Sequence, residues 1–132
     1  MKDVFPIGEV NPYSKYFIGT TYLHMLSNDM VVIGNVTFTA GARNNWHIHN
    51  AQSGGGQILL VTSGAGWYQE WGKSPQSLKP GDVVHIRPGV KHWHGAKKDS
   101  EFTHLAIEVP GENVSTSWLE PVLDDFYNIL TD

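Results

Sequence analysis

Residues 41–64 read GARNNWHIHNAQSGGGQILLVTSG and place His47 and His49 two positions apart on a short strand-like segment, 46–49. Successive side chains of a β-strand point to opposite faces, so both imidazoles point the same way across a short gap. This is the arrangement that two ligands of one metal ion need. The segment 50–56 is predicted to be a flexible loop, because three consecutive glycines hold a strand poorly.

A second pair of histidines repeats this spacing. His92 and His94 follow 43 residues after His49, shortly beyond the turn at Pro88-Gly89. If the two pairs lie on adjacent strands of a small barrel, three or four imidazoles meet in one cavity. The sequence therefore predicts a metal site built on histidines, with His94 as a further ligand or as a base beside the ion.

The other histidines carry weaker signals. His24 and His85 are expected to be structural or surface residues. His104 stands alone in a predicted strand, 102–109, whose two faces are both largely apolar. Alternation therefore leaves open whether His104 is a hydrogen-bonded core histidine or part of the site.

Most of the chain consists of short β-branched and aromatic segments separated by turns, as in an all-β sandwich or barrel. Lys79-Pro80-Gly81-Asp82 is a strong turn signal, because proline presets φ and glycine supplies a positive φ. The predicted strands are 16–23, 31–39, 46–49, 58–62, 67–71, 83–86, 91–95 and 102–109. A chain of this length is expected to form one domain, 1–132.

The C-terminal segment has a different period. Its apolar residues recur at helical spacing, which predicts a helix over 121–130. Pro121 suits the first helical position, and Asp124 and Asp125 suit the positive end of the helix dipole. Ser117 with Glu120 is an alternative capping box, but it would place the proline at the fourth helical position.

Composition excludes several classes of protein. The chain has no cysteine, which rules out disulfides and thiolate metal sites. Its net charge is −4 and it has no basic run, so nucleic acid is not an expected partner. The N-terminus resembles neither a signal peptide nor a membrane span, which makes a cytoplasmic protein without membrane partners the expectation.

The spacing of these residues resembles the cupins. The first cupin motif places five residues between a glycine and His-x-His, followed by a glutamate and, after six residues, a glycine; here it runs from Gly41 to Gly64 with Gln57 at the glutamate position. In the second motif, Gly81 and Gly89 keep their spacing to His92. The resemblance implies a jelly-roll barrel, here with a short C-terminal helix.

A subgroup of small bacterial cupins is more similar still. It includes manganese-dependent hydroxynitrile lyases and carboxymuconolactone-decarboxylase-like relatives, and shares the phrases GDVVH (81–85), KHWHG (91–95) and THLAI (103–107). The resemblance implies a metal bound by His47, His49, Gln57 and His92. It also places His94 and His104 near a small-molecule substrate, and we predict that both are catalytic acid–base residues rather than ligands. The reaction that the resemblance implies is lyase chemistry with manganese.

Gln57 departs from the usual glutamate of the cupin motif. Three neutral imidazoles and an amide leave the +2 charge of the ion uncompensated, which strengthens it as a Lewis acid. Nitrogen and oxygen ligands suit Mn, Fe, Co, Ni or Zn, so the ligand types alone do not select manganese.

Two other functions stay open at this stage. An oxygen-dependent dioxygenase is disfavoured by Gln57, because iron–oxygen sites commonly use a carboxylate. A metal-binding or sensing module without turnover is the third alternative. A homodimer is expected, because the exposed sheet edges of small barrels are often covered by a second copy.

Overall fold

The structure, a computed structural model, describes residues 4–131, which form two large antiparallel β-sheets and a separate two-stranded pair. A 3₁₀ turn, Ser14–Tyr16, precedes the second strand, and one short helix, α1, spans Asp124–Tyr127. The strands are β1 (Glu9–Val10), β2 (Phe17–Ile18), β3 (Thr21–Asp29), β4 (Val31–Phe38), β5 (Arg43–Asn44), β6 (His47–Asn50), β7 (Ser53–Gly54), β8 (Gln57–Gly64), β9 (Gly66–Glu70), β10 (Gln76–Leu78), β11 (Val83–Ile86), β12 (His92–Ala96), β13 (Phe102–Glu108), β14 (Gly111–Glu112) and β15 (Ser115–Trp118). The predicted all-β fold with a short C-terminal helix is confirmed.

The pairing of the strands sets which histidines become neighbours. The first sheet has the order β1-β3-β4-β13-β8-β11. The second has the order β10-β9-β12-β5-β2, with β6 paired to β12 and to β15. β7 and β14 form a separate pair. The strand with His47 and His49 therefore lies against the strand with His92 and His94, as the sequence predicts.

The main core fills the space between the two sheets. On β8, burial alternates as a strand with one inward face requires, and Leu59 and Val61 point inward. The buried members of this core are Val36, Phe38, Ala42, Leu59, Val61, Tyr68, Leu78, Val84, Ile86, Ala96, Phe102 and Ala106. Three of them, Val36, Phe38 and Ala106, also line the histidine cavity.

A second apolar cluster covers the outer face of the second sheet. Trp67 on β9 and Trp93 on β12 point away from the main core, and the C-terminal segment packs over them with Val122 and Tyr127. β12 is consequently buried on both faces, with His92 and His94 on one and Trp93 on the other.

The helix predicted over 121–130 was wrong in its start and its length. It begins at Asp124 and ends at Tyr127, and Leu123 before it is extended, with φ −71° and ψ 154°. The reason is Arg43, whose Nε and Nη2 donate to the carbonyl of Val122 at 2.9 and 2.7 Å. These bonds hold residue 122 against the sheet outside the helix. Within residues 4–131, no helix has the length and apolar character needed to cross a membrane.

Two other predictions of local structure need correction. The predicted strand 16–23 is broken at Gly19, whose φ of +85° ends β2 before β3 begins. The predicted loop 50–56 contains a short strand, β7, which pairs with β14. Beyond β7, Gly55 and Gly56 have φ of +78° and +95°, and this turn brings the chain into β8 at Gln57.

Candidate metal centre

A cavity of about 380 Å³ opens between the two sheets beside the main core. Five of the six predicted site residues line it: His47, His49, Gln57, His94 and His104. The sixth, His92, is fully buried and is paired with His47 on the neighbouring strand. Much of the remaining wall is apolar, with Phe17, Leu23, Met25, Val36, Phe38 and Trp118.

His47, His49 and His92 form a compact group. His47 and His92 are directly paired across β6 and β12, and their ring centroids are 4.1 Å apart. The centroid of His49 is 5.1 Å from that of His47 and 5.2 Å from that of His92. One ring nitrogen from each residue lies within 4.8 Å of the other two, close enough for one ion to contact all three.

Backbone carbonyls orient two of these imidazoles. Nδ1 of His47 donates to the carbonyl of Asn45, and Nδ1 of His92 donates to the carbonyl of Val90, both at 2.8 Å. This fixes the tautomer and leaves the Nε2 lone pair of each ring free, as is usual for metal-binding histidines. Nε2 of His92 is buried without a hydrogen-bond partner in residues 4–131. A buried nitrogen without a partner, aimed into a histidine cluster, fits a divalent metal ion.

Burial keeps these imidazoles neutral, which a metal ligand requires. It lowers the pKa of His92 to about 4. For His47, burial and then the neighbouring His92 and His49 hold the pKa well below its usual range. The pKa of His49 is also lowered by burial, although the nearby Glu108 carboxylate opposes the shift.

Gln57 faces the cluster with its amide oxygen. Its Oε1 lies 3.2 Å from Nε2 of His49, while its Nε2 donates to Oε1 of Glu108 at 2.6 Å. Glu108 is the residue directly opposite Gln57 in the β8–β13 pair. The carboxylate thus fixes the orientation of the amide and leaves the oxygen as the atom available to an ion.

Glu108 also changes the charge expected from sequence. Three neutral imidazoles and an amide were expected to leave a divalent ion without any compensating charge. The structure instead places a carboxylate one hydrogen bond behind the candidate amide ligand. Many cupins carry this negative charge on a metal ligand, whereas here it is carried by Glu108, which binds the candidate ligand Gln57.

His94 and His104 form a pair of their own, contributed by opposite sheets. Nε2 of His104 lies 3.1 Å from Nδ1 of His94. Burial lowers the pKa of His104 to about 4 and holds that of His94 well below its usual value. His94 stands outside the three-histidine group, although its ring is only 5.7 Å from His47 between centroids.

Among the cavity residues that sequence reasoning missed, four contact predicted site residues. Glu108 shares a face of β13 with His104, so alternation from His104 could have found it. Trp118 stacks on His47 with centroids 4.6 Å apart, and Thr116 lies near His49, but no motif marks either residue. Asn44 contacts His94 from β5. His24 and His85 lie on strands outside the cavity, as expected for structural or surface residues.

The profile of the cupin domain matches residues 34–108, which contain all six candidate residues. The chain belongs to the cupin family. This cupin is 44% identical over 98 residues to the (R)-mandelonitrile lyase of Granulicella tundricola, and the match covers 74% of this chain and 72% of that protein. The jelly-roll expectation is thereby confirmed.

Solved structures agree with this assignment. A cupin-like protein from Thermotoga maritima is 40% identical, with a TM-score of 0.85 and 96% of each chain covered. A protein with a double-stranded β-helix domain from Klebsiella pneumoniae is 22% identical, with a TM-score of 0.65 over 91% of this chain and 99% of that one. The second likeness concerns the fold alone.

Proposed function

We propose that this cupin is a divalent-metal-dependent lyase that cleaves or forms the carbon–carbon bond next to the hydroxyl of a cyanohydrin. The proposal rests on the similarity to a mandelonitrile lyase. The observation that carries it is the presence of two groups in one region: a three-histidine cluster and, beside it, the buried His94–His104 pair. Such a pair is suited to taking a proton from a substrate that lies beside the cluster and returning it.

His47, His49, Gln57 and His92 would hold the ion. When bound, it supplies a Lewis acid that acidifies a substrate hydroxyl. Glu108 holds the Gln57 amide so that its oxygen is directed to the cluster. Manganese is the metal that the resemblance implies, and it stays a prediction.

The histidine pair supplies the base. A neutral His94 accepts the hydroxyl proton of the cyanohydrin, and the O–H electron pair becomes the second bond of the new carbonyl. The electrons of the carbon–carbon bond leave with cyanide, which takes a proton to give hydrogen cyanide. The protonated His94 returns that proton, so the products are an aldehyde and hydrogen cyanide and the enzyme is unchanged.

The cavity favours a neutral, apolar substrate. Its wall is formed largely by aromatic and aliphatic side chains, and no lysine or arginine of residues 4–131 lines it. Among the lining residues that the structure describes, Glu108 is the one acidic residue, and its carboxylate repels anions. An aryl cyanohydrin suits this apolar wall better than a keto or hydroxy acid, whose carboxylate would lie beside Glu108 and would find no lysine or arginine among the lining residues.

The test combines metal content with turnover. Purified protein is stripped of metal, reloaded separately with Mn, Fe, Co, Ni and Zn, and assayed for mandelonitrile cleavage and oxygen uptake. Metal-dependent cleavage without oxygen uptake supports the lyase. Oxygen uptake would favour a dioxygenase, and tight metal binding without either activity would favour a binding or sensing module.

A matched pair of variants connects the activity to the cavity. His94→Ala is expected to lose most of the cleavage activity. His85→Ala removes an exposed histidine on β11, outside the cavity, and is expected to retain it. Equal loss in both variants would separate the activity from this site.

A further inference from the structure

Gly34 interrupts a row of large side chains on the cavity face of β4. Val32, Val36 and Phe38 line the cavity from this strand, and Gly34 lies among them without a side chain. A glycine in the interior of a strand weakens it, because glycine loses more conformational entropy on folding and offers no side chain to pack. Such a glycine often marks a place where a ligand or another backbone approaches closely.

The backbone does not require a glycine at residue 34. Its φ lies outside the left-handed region, in contrast to the glycines of the turns. Among the described residues, a Cβ built on Gly34 would come within 4 Å of only two side-chain ends, Leu23 Cδ1 at 3.0 Å and Met25 Sδ at 3.6 Å. A Cβ built on Gly95 would instead lie 2.6 Å from the backbone oxygen of Ala42. Gly95 thus permits a close approach of two strands, whereas Gly34 leaves space in the cavity.

Ala106 extends this space onto the neighbouring strand. It lies directly opposite Gly34 in the β4–β13 pair and lines the same cavity. Adjacent strands are about 4.8 Å apart, so two small residues side by side lower the cavity wall over about the width of a six-membered ring. We call the space above Gly34 and Ala106 the recess. Met25, which pairs with Gly34 from β3, borders it on the other side.

The recess lies beside the residues to which we assign the chemistry. On β13, Ala106 stands between His104 and Glu108, two positions from each, and all three line the cavity. A group that rests on Gly34 and Ala106 is therefore next to the histidine pair on one side and to the Gln57–Glu108 hydrogen bond on the other.

We propose that Gly34 is a specificity-determining residue, and that the recess it forms with Ala106 receives an aromatic ring of the substrate. Neither residue has a hydrogen-bonding side chain, and the neighbouring Leu23 and Met25 are apolar. A flat apolar ring gains by leaving water for this space. A polar group would lose its hydrogen bonds to water without replacement. The assignment of the ring to an aryl cyanohydrin rests on the proposed function, whereas the fit of an aromatic ring to the recess does not.

Binding of benzyl alcohol to the metal-free protein tests the recess without turnover. This probe carries the ring and the hydroxyl of mandelonitrile but has no cyanide to lose. In NMR spectra of the wild type, we expect intermolecular NOEs between the ring protons and the methyl group of Ala106. Gly34→Val places an isopropyl group in the recess and should remove these NOEs and weaken binding by about 10-fold or more.

Ala40→Val is the matched control, because it adds two methyl groups at an exposed turn residue that does not line the cavity. It should bind benzyl alcohol as the wild type does. The proposal is overturned if the wild type does not bind the probe, if the bound ring lacks contacts with Ala106, or if a folded Gly34→Val variant binds it with wild-type affinity. If Gly34→Val does not fold, the wild-type NOEs still decide whether the ring occupies the recess.

Turnover is measured separately, so the two proposals fail in different ways. Acetaldehyde cyanohydrin has a methyl group where mandelonitrile has a phenyl ring. The ratio of kcat/KM for mandelonitrile to that for acetaldehyde cyanohydrin should fall by about 10- to 200-fold in Gly34→Val. An unchanged ratio in an active variant would refute the recess and leave the lyase intact. Ring contacts with Ala106 in a wild-type protein that cleaves neither cyanohydrin would refute the lyase and leave the recess intact.

Discussion

Replacing Gln57 by glutamate tests how the site distributes its charge. From sequence alone, a carboxylate at this position should tighten metal binding, because the ligand set gains a negative charge. The structure adds an opposing effect, because the amide NH₂ group that the substitution removes donates a hydrogen bond to Glu108 at 2.6 Å. A carboxylate there turns a hydrogen bond into a contact between two anions.

The magnitude follows from that distance. A hydrogen bond to a charged group contributes about 1.5–3 kcal/mol, and Gln57→Glu removes it. Two unit charges at this separation repel by about 6 kcal/mol at an effective dielectric constant of 20, before the side chains move apart or share a proton. The single variant should therefore gain little or no metal affinity at neutral pH.

The double variant Gln57→Glu/Glu108→Gln exchanges the two side chains. It keeps the composition, the net charge and the hydrogen bond, but moves the carboxylate next to the ion. We expect it to bind metal at least about 10-fold more tightly than the single variant, in line with the usual effect of outer-shell partners. It should also cleave substrate more slowly than the wild type, because a compensated ion is a weaker Lewis acid.

Competition with a chelator at pH 7, with metal content from elemental analysis, measures these affinities. Glu112→Gln is the charge control, because it removes one exposed carboxylate on β14 that does not line the cavity. Equal metal affinities of the single and double variants would refute the reasoning that Glu108 holds the Gln57 amide.

Three further predictions concern the histidines. His47→Ala/His49→Ala should lose stoichiometric metal by elemental analysis, and wild-type affinity in that variant would refute the ligand set. His94→Ala and His104→Ala should each keep the metal but lose about 10²–10⁴ in rate, and metal loss in either would make that residue a ligand. Acid should destabilise the metal-free protein, because burial lowers the pKa of His92 and His104 to about 4. Below about pH 6.5 the unfolded chain binds protons that the folded chain does not. The free energy of unfolding should therefore fall by about 1.4 kcal/mol per pH unit for each histidine, down to about pH 4. Urea midpoints that do not change between pH 7 and pH 4.5 would contradict this.

The strands and the three-histidine group were predictable because both follow from a period of two residues. His47 and His49 share a face on any strand, and a second pair on a neighbouring strand completes the cluster. The start of α1 was not predictable, because it depends on the bonds from Arg43 to a carbonyl 79 residues away. Glu108 was missed because its importance arises from its place opposite Gln57 across two strands, which no local pattern reveals.

The identity of the metal, the cytoplasmic location and the homodimer stay predictions. None of them follows from the arrangement of side chains within one chain. The single domain over 1–132 also stays a prediction, because the cupin profile matches only residues 34–108.

The strand that carries His92 and His94 has no free face, and this has a consequence for mutational scanning. Trp93 is held from outside by Tyr127, whose ring centroid lies 6.2 Å away and whose hydroxyl donates to the carbonyl of Ala96 at the end of the same strand. Neither aromatic residue lines the cavity. In a mutational scan that measures turnover, substitutions of Trp93 and Tyr127 should nevertheless reduce activity. The outer face of the second sheet would then be as sensitive to substitution as the metal cluster.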